Sequence, residues 1–146
     1  MLLAIGSDHR GYDLKGKIAA YLTANGHTVQ DMGCYSLDSA DYPDFASAVA
    51  RSIASGKAER GVLICGSGIG MSIAANKFDG IRAALCCGAE MAMRSRLHND
   101  ANILCLGSDF IERDEALRSV GLFVTTAFEG GRHQQRLDKI AKIESI

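Results

Sequence analysis

The sequence predicts an α/β fold: a three-layer α/β/α sandwich around a five-stranded parallel sheet, Rossmann-like in organisation. Two observations carry that expectation. Short apolar runs of strand length alternate along the chain with longer segments of helical period. The runs are nearly continuous in apolar residues, the pattern of strands covered by helices on both faces. Right-handed crossovers then distribute the helices to the two sides of the sheet.

Leu2–Gly6 (LLAIG) reads as the first buried strand. Leu14, Ile18 and Leu22 recur at i, i+4 and i+8, which lines one helix face, and Gly26 is its stop signal. Thr28–Met32 is the second strand. Pro43, the one proline, suits the first turn of a helix with Phe45, Val49 and Ile53 facing inward. Gly61–Cys65 (GVLIC) is the third strand; a glycine-rich turn and a short helix through Asn76 follow. Ile81–Cys86 and Asn102–Leu106 are strands four and five, separated by a helix over Ala89–Leu97. A helix over roughly Arg113–Phe128 comes next. A last one runs from about His133 into the C-terminus, with Leu137, Ile140 and Ile143 inward. With no repeat, linker or low-complexity segment, residues 1–146 read as one domain.

Composition narrows the function classes. Hydrophobic residues at 47% and charged residues at 23% describe an ordinary folded, soluble chain. Sixteen basic against seventeen acidic residues give no general attraction to nucleic acid or membrane, so neither is expected as a partner. Any bound anion must be met by a local cluster. The N-terminal apolar run turns polar after five residues, too short for a signal segment or a membrane span. Five cysteines at 34, 65, 86, 87 and 105 contain no CxxC pair, which points to reduced thiols and the cytoplasm.

Ligands in such sheets gather at the carboxyl ends of the strands. Asp8, His9 and Arg10 follow the first strand and the 66–70 loop follows the third. His98-Asn99-Asp100, just ahead of the fifth strand, is grouped with them. The run Cys65-Gly66-Ser67-Gly68-Ile69-Gly70 is the most informative. It leads from a strand into a helix N-terminus with little side-chain obstruction, so its N–H groups can converge on an anion or a forming oxyanion. It echoes a dinucleotide fingerprint weakly, lacks the GK[ST] of a P-loop, and is equally compatible with a plain tight turn. Cys65 ends its strand against that helix N-terminus, where a thiolate base or nucleophile is favoured. Cys86, Cys87 and Cys105 read as small buried hydrophobes. Asp8-His9 and His98-Asn99-Asp100 add groups able to move protons near neutral pH, whereas His27 reads as surface. Arg132 and Arg136 lie one helical turn apart and can converge on a phosphate; their positive charge at a helix start otherwise opposes the dipole.

GSDHRGYDLK at 6–15, DYPDFA at 41–46, ICGSGIGMSIAANKFDGIRA at 64–83, HNDANILCLGS at 98–108 and EGGRHQQR at 129–136 span nearly the whole chain. Together they resemble the type B ribose-5-phosphate isomerase family, which also includes allose- and galactose-6-phosphate isomerases. The resemblance implies an isomerase without metal or organic cofactor, acting on a sugar phosphate. It also implies a homodimer or homotetramer with each site shared between subunits, and a C-terminal helix (about 133–146) that reaches a neighbour. By the same resemblance, Cys65 moves a proton between C2 and C1, Ser67 keeps a relaying hydroxyl, and His98 helps open the furanose ring. Asp8, His9, Gly66, Gly68, Ile69, Gly70 and Asn99 would hold the sugar, and Arg132 and Arg136 the phosphate. Asp109 departs from the pattern: relatives usually carry arginine there, and an acid repels phosphate, so Arg113 is the candidate substitute. Two other readings stay open, a hexose-6-phosphate isomerase of the same family and a non-catalytic sugar-phosphate-binding module. The joint presence of Cys65 and His98 counts against the second.

Overall fold

The computed structural model describes residues 1–146. Five strands, β1 (Leu2–Ser7), β2 (Thr28–Asp31), β3 (Arg60–Cys65), β4 (Ala83–Leu85) and β5 (Ile103–Gly107), form one parallel sheet in the order β2-β1-β3-β5-β4. The helices are α1 (Tyr12–Ala24), α2 (Tyr42–Ala54), α3 (Ile69–Ala75), α4 (Ala89–Asn99), α5 (Arg113–Thr125) and α6 (Arg132–Ile143).

Alternate strand residues face opposite ways, which splits the core into two layers. Leu3, Ile5, Val62, Ile64, Leu104 and Leu106 pack with Leu14, Ile18 and Leu22 of α1, Ala92 of α4, and Ala116, Val120 and Phe123 of α5. Ala4, Leu63, Cys65, Ile103 and Cys105 pack with Ala46, Val49 and Ala50 of α2 and Met71 and Ala75 of α3. The central strands β1, β3 and β5 therefore lie buried on both faces, and each fully buried large side chain contributes about 1.5–3 kcal/mol. Their carboxyl ends are consequently a stiff platform. The three-layer α/β/α arrangement is the one expected. No helix is long and apolar enough to cross a membrane.

Several boundaries differ from expectation. β4 begins at Ala83 rather than Ile81, and β2 is an edge strand with mostly exposed side chains. The inner face of α2 is Ala46, Val49 and Ala50; Phe45 and Ile53 are only partly buried. α5 stops at Thr125, three residues before Phe128. α4 continues through Asn99, so His98 and Asn99 are helical rather than in a loop. On α6 only His133 and Leu137 are buried, while Ile140 and Ile143 are 43% and 63% exposed. The periodicity of that stripe is real, but past the second turn its apolar side chains stay largely exposed, although Glu144 just beyond the helix accepts the Gly80 N–H at 2.8 Å.

Candidate active site

The carboxyl ends of β1, β3 and β5 are laced together through main-chain groups. The Ser108 N–H donates to the Cys65 carbonyl at 2.9 Å, the Asp109 N–H to Gly66 at 3.0 Å, and the Asp8 N–H to Ile64 at 3.2 Å. The Ser108 hydroxyl lies within reach of the carbonyls of both Arg10 (3.1 Å) and Cys65 (3.2 Å). Because the sheet register sets Cys65 beside Gly107, these loops have one mutual arrangement.

Cys65 sits at the head of this platform with 5% of its surface exposed. Its Sγ accepts the Gly68 N–H at 3.1 Å, and a donor aimed at sulfur is a partner for the anion left when the proton departs. Gly68 takes φ +77°, and a Cβ there would stand 2.6 Å from Leu85 Cδ1 and 2.9 Å from the Leu106 main chain. Only glycine fits that bend. The Ser67 hydroxyl accepts the Ile69 N–H at 3.2 Å, and Ile69 opens α3 with 53% of its surface exposed. A Cβ on Gly70 would meet the Tyr42 ring at 2.5 Å, so Tyr42 forms a wall of the loop.

Asp8 is 6% exposed, and its Oδ1 accepts the N–H groups of Arg10 (3.0 Å) and Gly11 (3.1 Å), folding the loop into the start of α1. His9 Nδ1 accepts the Ala40 N–H at 3.2 Å, which leaves Nε2 as the ring's free atom. Arg10 pairs with Asp109, and both lie over Gly66. Asp109 thus faces a guanidinium of its own chain. The expected substitute, Arg113, pairs instead with Asp114 at 2.9 Å.

The remaining predicted residues are elsewhere. His98 and Asn99 end α4, which delivers the chain to the amino end of β5, and Arg132 and Arg136 lie on the first turns of α6. β5 advances four residues from Ile103 to Gly107 beside Cys65, about 13 Å at roughly 3.3 Å per residue. His98 therefore does not join the carboxyl-end loops, contrary to expectation, because a helix between parallel strands ends at the opposite edge. At that edge His98 and His133 stack, with ring centroids 4.5 Å apart and planes 15° apart. Glu129 Oε2 lies 3.9 Å from His98 Nε2 and 4.0 Å from His133 Nε2. Arg132 and Arg136 are exposed and make no salt bridge within the chain.

Burial pushes the Cys86 thiol up to about 11 and that of Cys105 higher still, so these are packing residues. Cys87, grouped with them on sequence, is exposed. Sequence reasoning also left Arg10, Tyr42, Glu129 and His133 without roles. All four lie inside the matching stretches GSDHRGYDLK, DYPDFA and EGGRHQQR, which was the available signal.

A parallel sandwich with a cysteine and a glycine loop at its strand ends defines an α/β protein whose candidate ligand site lies at the carboxyl edge of the sheet. The chain belongs to the Ribose/Galactose Isomerase family, whose sequence profile matches residues 3–140. It is 46% identical over 142 residues to ribose-5-phosphate isomerase B of Escherichia coli K12, covering 97% of this chain and 95% of that one. The structure of Clostridium thermocellum ribose-5-phosphate isomerase B is similar at TM-score 0.98 and 50% identity, covering 99% and 98% of the two chains. Ribose-5-phosphate isomerase B of Mycoplasma genitalium, solved with bound ribulose-5-phosphate, is similar at TM-score 0.95 and 42% identity, with 99% and 96% covered.

Proposed function

We propose that this chain is an aldose–ketose isomerase that interconverts ribose 5-phosphate and ribulose 5-phosphate through an enediolate. The observation that carries the reading is the Cys65 sulfur, seated at the head of a glycine loop whose N–H groups can meet negative charge. The carbonyl of an open-chain aldose acidifies the C2 hydrogen. Cys65 removes that proton, the enediolate oxygens take the charge, and the same sulfur returns a proton to C1. The loop N–H groups stabilise the charged oxygens, and loss of one such donor in other enzymes costs about 3–4 kcal/mol. The Ser67 hydroxyl relays protons between the two oxygens. Asp8, His9, Tyr42 and Asn99 hold the sugar, His98 opens the furanose ring, and Arg132 and Arg136 take the phosphate.

Cys65 and His98 would have to touch neighbouring atoms of one small sugar, yet they lie at opposite edges of the sheet. The reading therefore requires two copies, each lending its His98 edge to the other's Cys65 edge in a homodimer. Exposed Ile69 and Ile73 beside the Cys65 loop, and Ile140 and Ile143 on α6, supply apolar surface for that contact. Five free thiols, four of them buried, suit a reducing compartment such as the cytoplasm.

The direct test is ribulose 5-phosphate formation by the purified chain from a panel of phosphorylated aldoses, with and without EDTA. Faster turnover of a hexose 6-phosphate would move the assignment within the family. The shared site is tested by mixing Cys65→Ala and Arg132→Ala proteins at a ribose 5-phosphate concentration far below the raised KM of the arginine variant, where neither turns over appreciably alone. Subunit exchange creates one site with both defects and one with neither, so activity should return. Persistent inactivity, with exchange shown by mass spectrometry, refutes sharing.

A further inference from the structure

We propose that His133 is a positioning residue for His98, the stacked rings and Glu129 forming a unit that aims His98 at the sugar ring. The proposal rests on the reading above, in which His98 opens the furanose. Ring opening breaks the C1–O4 bond: one proton is delivered to O4 and one leaves the anomeric O1. A single imidazole can do both only if its nitrogens are held at fixed points, and an unsupported ring on a helix end has two free torsions.

The structure supplies the support. His133 is 6% exposed, and its Nε2 is the chain's one buried side-chain nitrogen or oxygen without a hydrogen-bond partner. Buried polar atoms are seldom left so without a function. That nitrogen lies 4.0 Å from the Glu129 carboxylate, which stands 3.9 Å from His98 Nε2. The Glu129 N–H donates to the Leu97 carbonyl at 3.1 Å, tying this loop to the last turn of α4. Gly130 and Gly131, at φ +71° and +55°, then turn the chain so that the first turn of α6 sets His133 against His98.

The charged groups facing His133 are His98, Glu129, Arg132 and Arg136. Loss of solvent, then the His98 ring, and further the two arginines hold His133 below the usual imidazole value, with Glu129 opposing. His98 is the more accessible ring of the pair, its side chain 39% exposed against 7% for His133, and Glu129 lies beside both. The donor atoms of His98, Glu129 and His133 also lie within 4.8 Å of one another, a spacing a metal ion could close. Near-parallel rings, however, send their lone pairs side by side rather than to one point, and two unpaired arginines disfavour a cation.

The test compares ribose 5-phosphate with 4-deoxyribose 5-phosphate, which lacks the oxygen needed to close a furanose and is always open. His133→Ala and Glu129→Gln should each lower kcat/KM on ribose 5-phosphate about tenfold or more, with the open analogue within about twofold of the wild-type rate. His133→Phe keeps a ring to stack and should recover most of the loss. Equal loss on both substrates makes His133 structural or a phosphate contact, and no loss on either leaves it without a role; each overturns the proposal. So does wild-type activity that EDTA abolishes and zinc restores. His98→Asn is the control. If it shows no difference between the two substrates, the ring-opening assignment fails first. Absence of ribose 5-phosphate turnover by the wild type would instead defeat the isomerase reading.

Discussion

The two polar clusters of this chain are built by opposite means. Around Cys65, three strand ends are locked by main-chain hydrogen bonds, so the sheet register itself sets where the sulfur and the loop N–H groups lie. Around His98, side chains from two helix ends and a glycine loop meet by ring stacking, and a main-chain bond from the Glu129 N–H to the Leu97 carbonyl ties that loop to α4. The first cluster is prearranged by the fold, as stabilisation of developing charge requires. The second depends on particular side chains and ends in two exposed arginines with no partner in the chain. Substitutions should therefore separate the two: chemistry is lost at the first and substrate handling at the second.

The largest effect is expected at Cys65. Cys65→Ala should lower kcat by about 10²–10⁴-fold, the usual loss of a positioned general base, with the thermal midpoint changed little. Circular dichroism and turnover measured on one sample check both halves. Near-normal turnover would transfer the base role and erase the contrast between the clusters. Next comes the phosphate end. Arg132→Ala or Arg136→Ala should each raise KM for ribose 5-phosphate by about 10–100-fold, because a hydrogen bond to a charged group is worth about 1.5–3 kcal/mol. Stability should hold, since neither side chain pairs within the chain. An unchanged KM would leave both arginines as a solvated helix start.

What the sequence disclosed follows the same division. Periodicity located the strands and helices: burial on both faces leaves continuous apolar runs in β1, β3 and β5, whereas the exposed edge strand β2 is marked mainly by its place between two helices. It also found the Cys65 loop, whose residues are consecutive and whose chemistry follows from a strand running into a helix. It misplaced His98, because a position just ahead of a strand looks like a strand-end loop until the helix before it is known to run through Asn99. Strand order, with β5 between β3 and β4, has no local signal at all. The exposed stripe of Ile140 and Ile143 shows a further limit. Periodicity reports that a face is apolar, not which molecule covers it.

Glycines sharpen the comparison at a smaller scale. Gly68 and Gly130 both sit at positive φ, +77° and +71°, but a Cβ at Gly68 meets Leu85 and Leu106 while one at Gly130 meets nothing within 4 Å. Gly130→Ala should cost only the backbone term, about 1–2 kcal/mol. Gly68→Ala should cost more, because side-chain and main-chain atoms must also give way. Urea unfolding of the two variants measures the difference. Equal costs would mean that the Cys65 platform yields as readily as the loop at the other edge.

The smallest effect is expected at Asp109, where the structure revises what the sequence implied. An acid beside a phosphate-handling loop suggested simple repulsion, yet the carboxylate is paired with Arg10 above Gly66. Both side chains are about half exposed, so the pair contributes at most about 1 kcal/mol to stability. Asp109→Asn removes the negative charge and leaves the Arg10 guanidinium uncompensated beside the anion loop. One extra positive charge roughly 8 Å from the substrate, in water-like surroundings, is worth about 0.5 kcal/mol, or about twofold. KM should fall by about that factor with kcat changed less, and the gain should fade in high salt. Asp109→Arg should gain less than its formal charge suggests, because two guanidinium groups would compete for the space above Gly66. A rise in KM for Asp109→Asn would reverse the argument: Asp109 would then matter by holding Arg10 in place, geometry outweighing charge at the Cys65 edge as well.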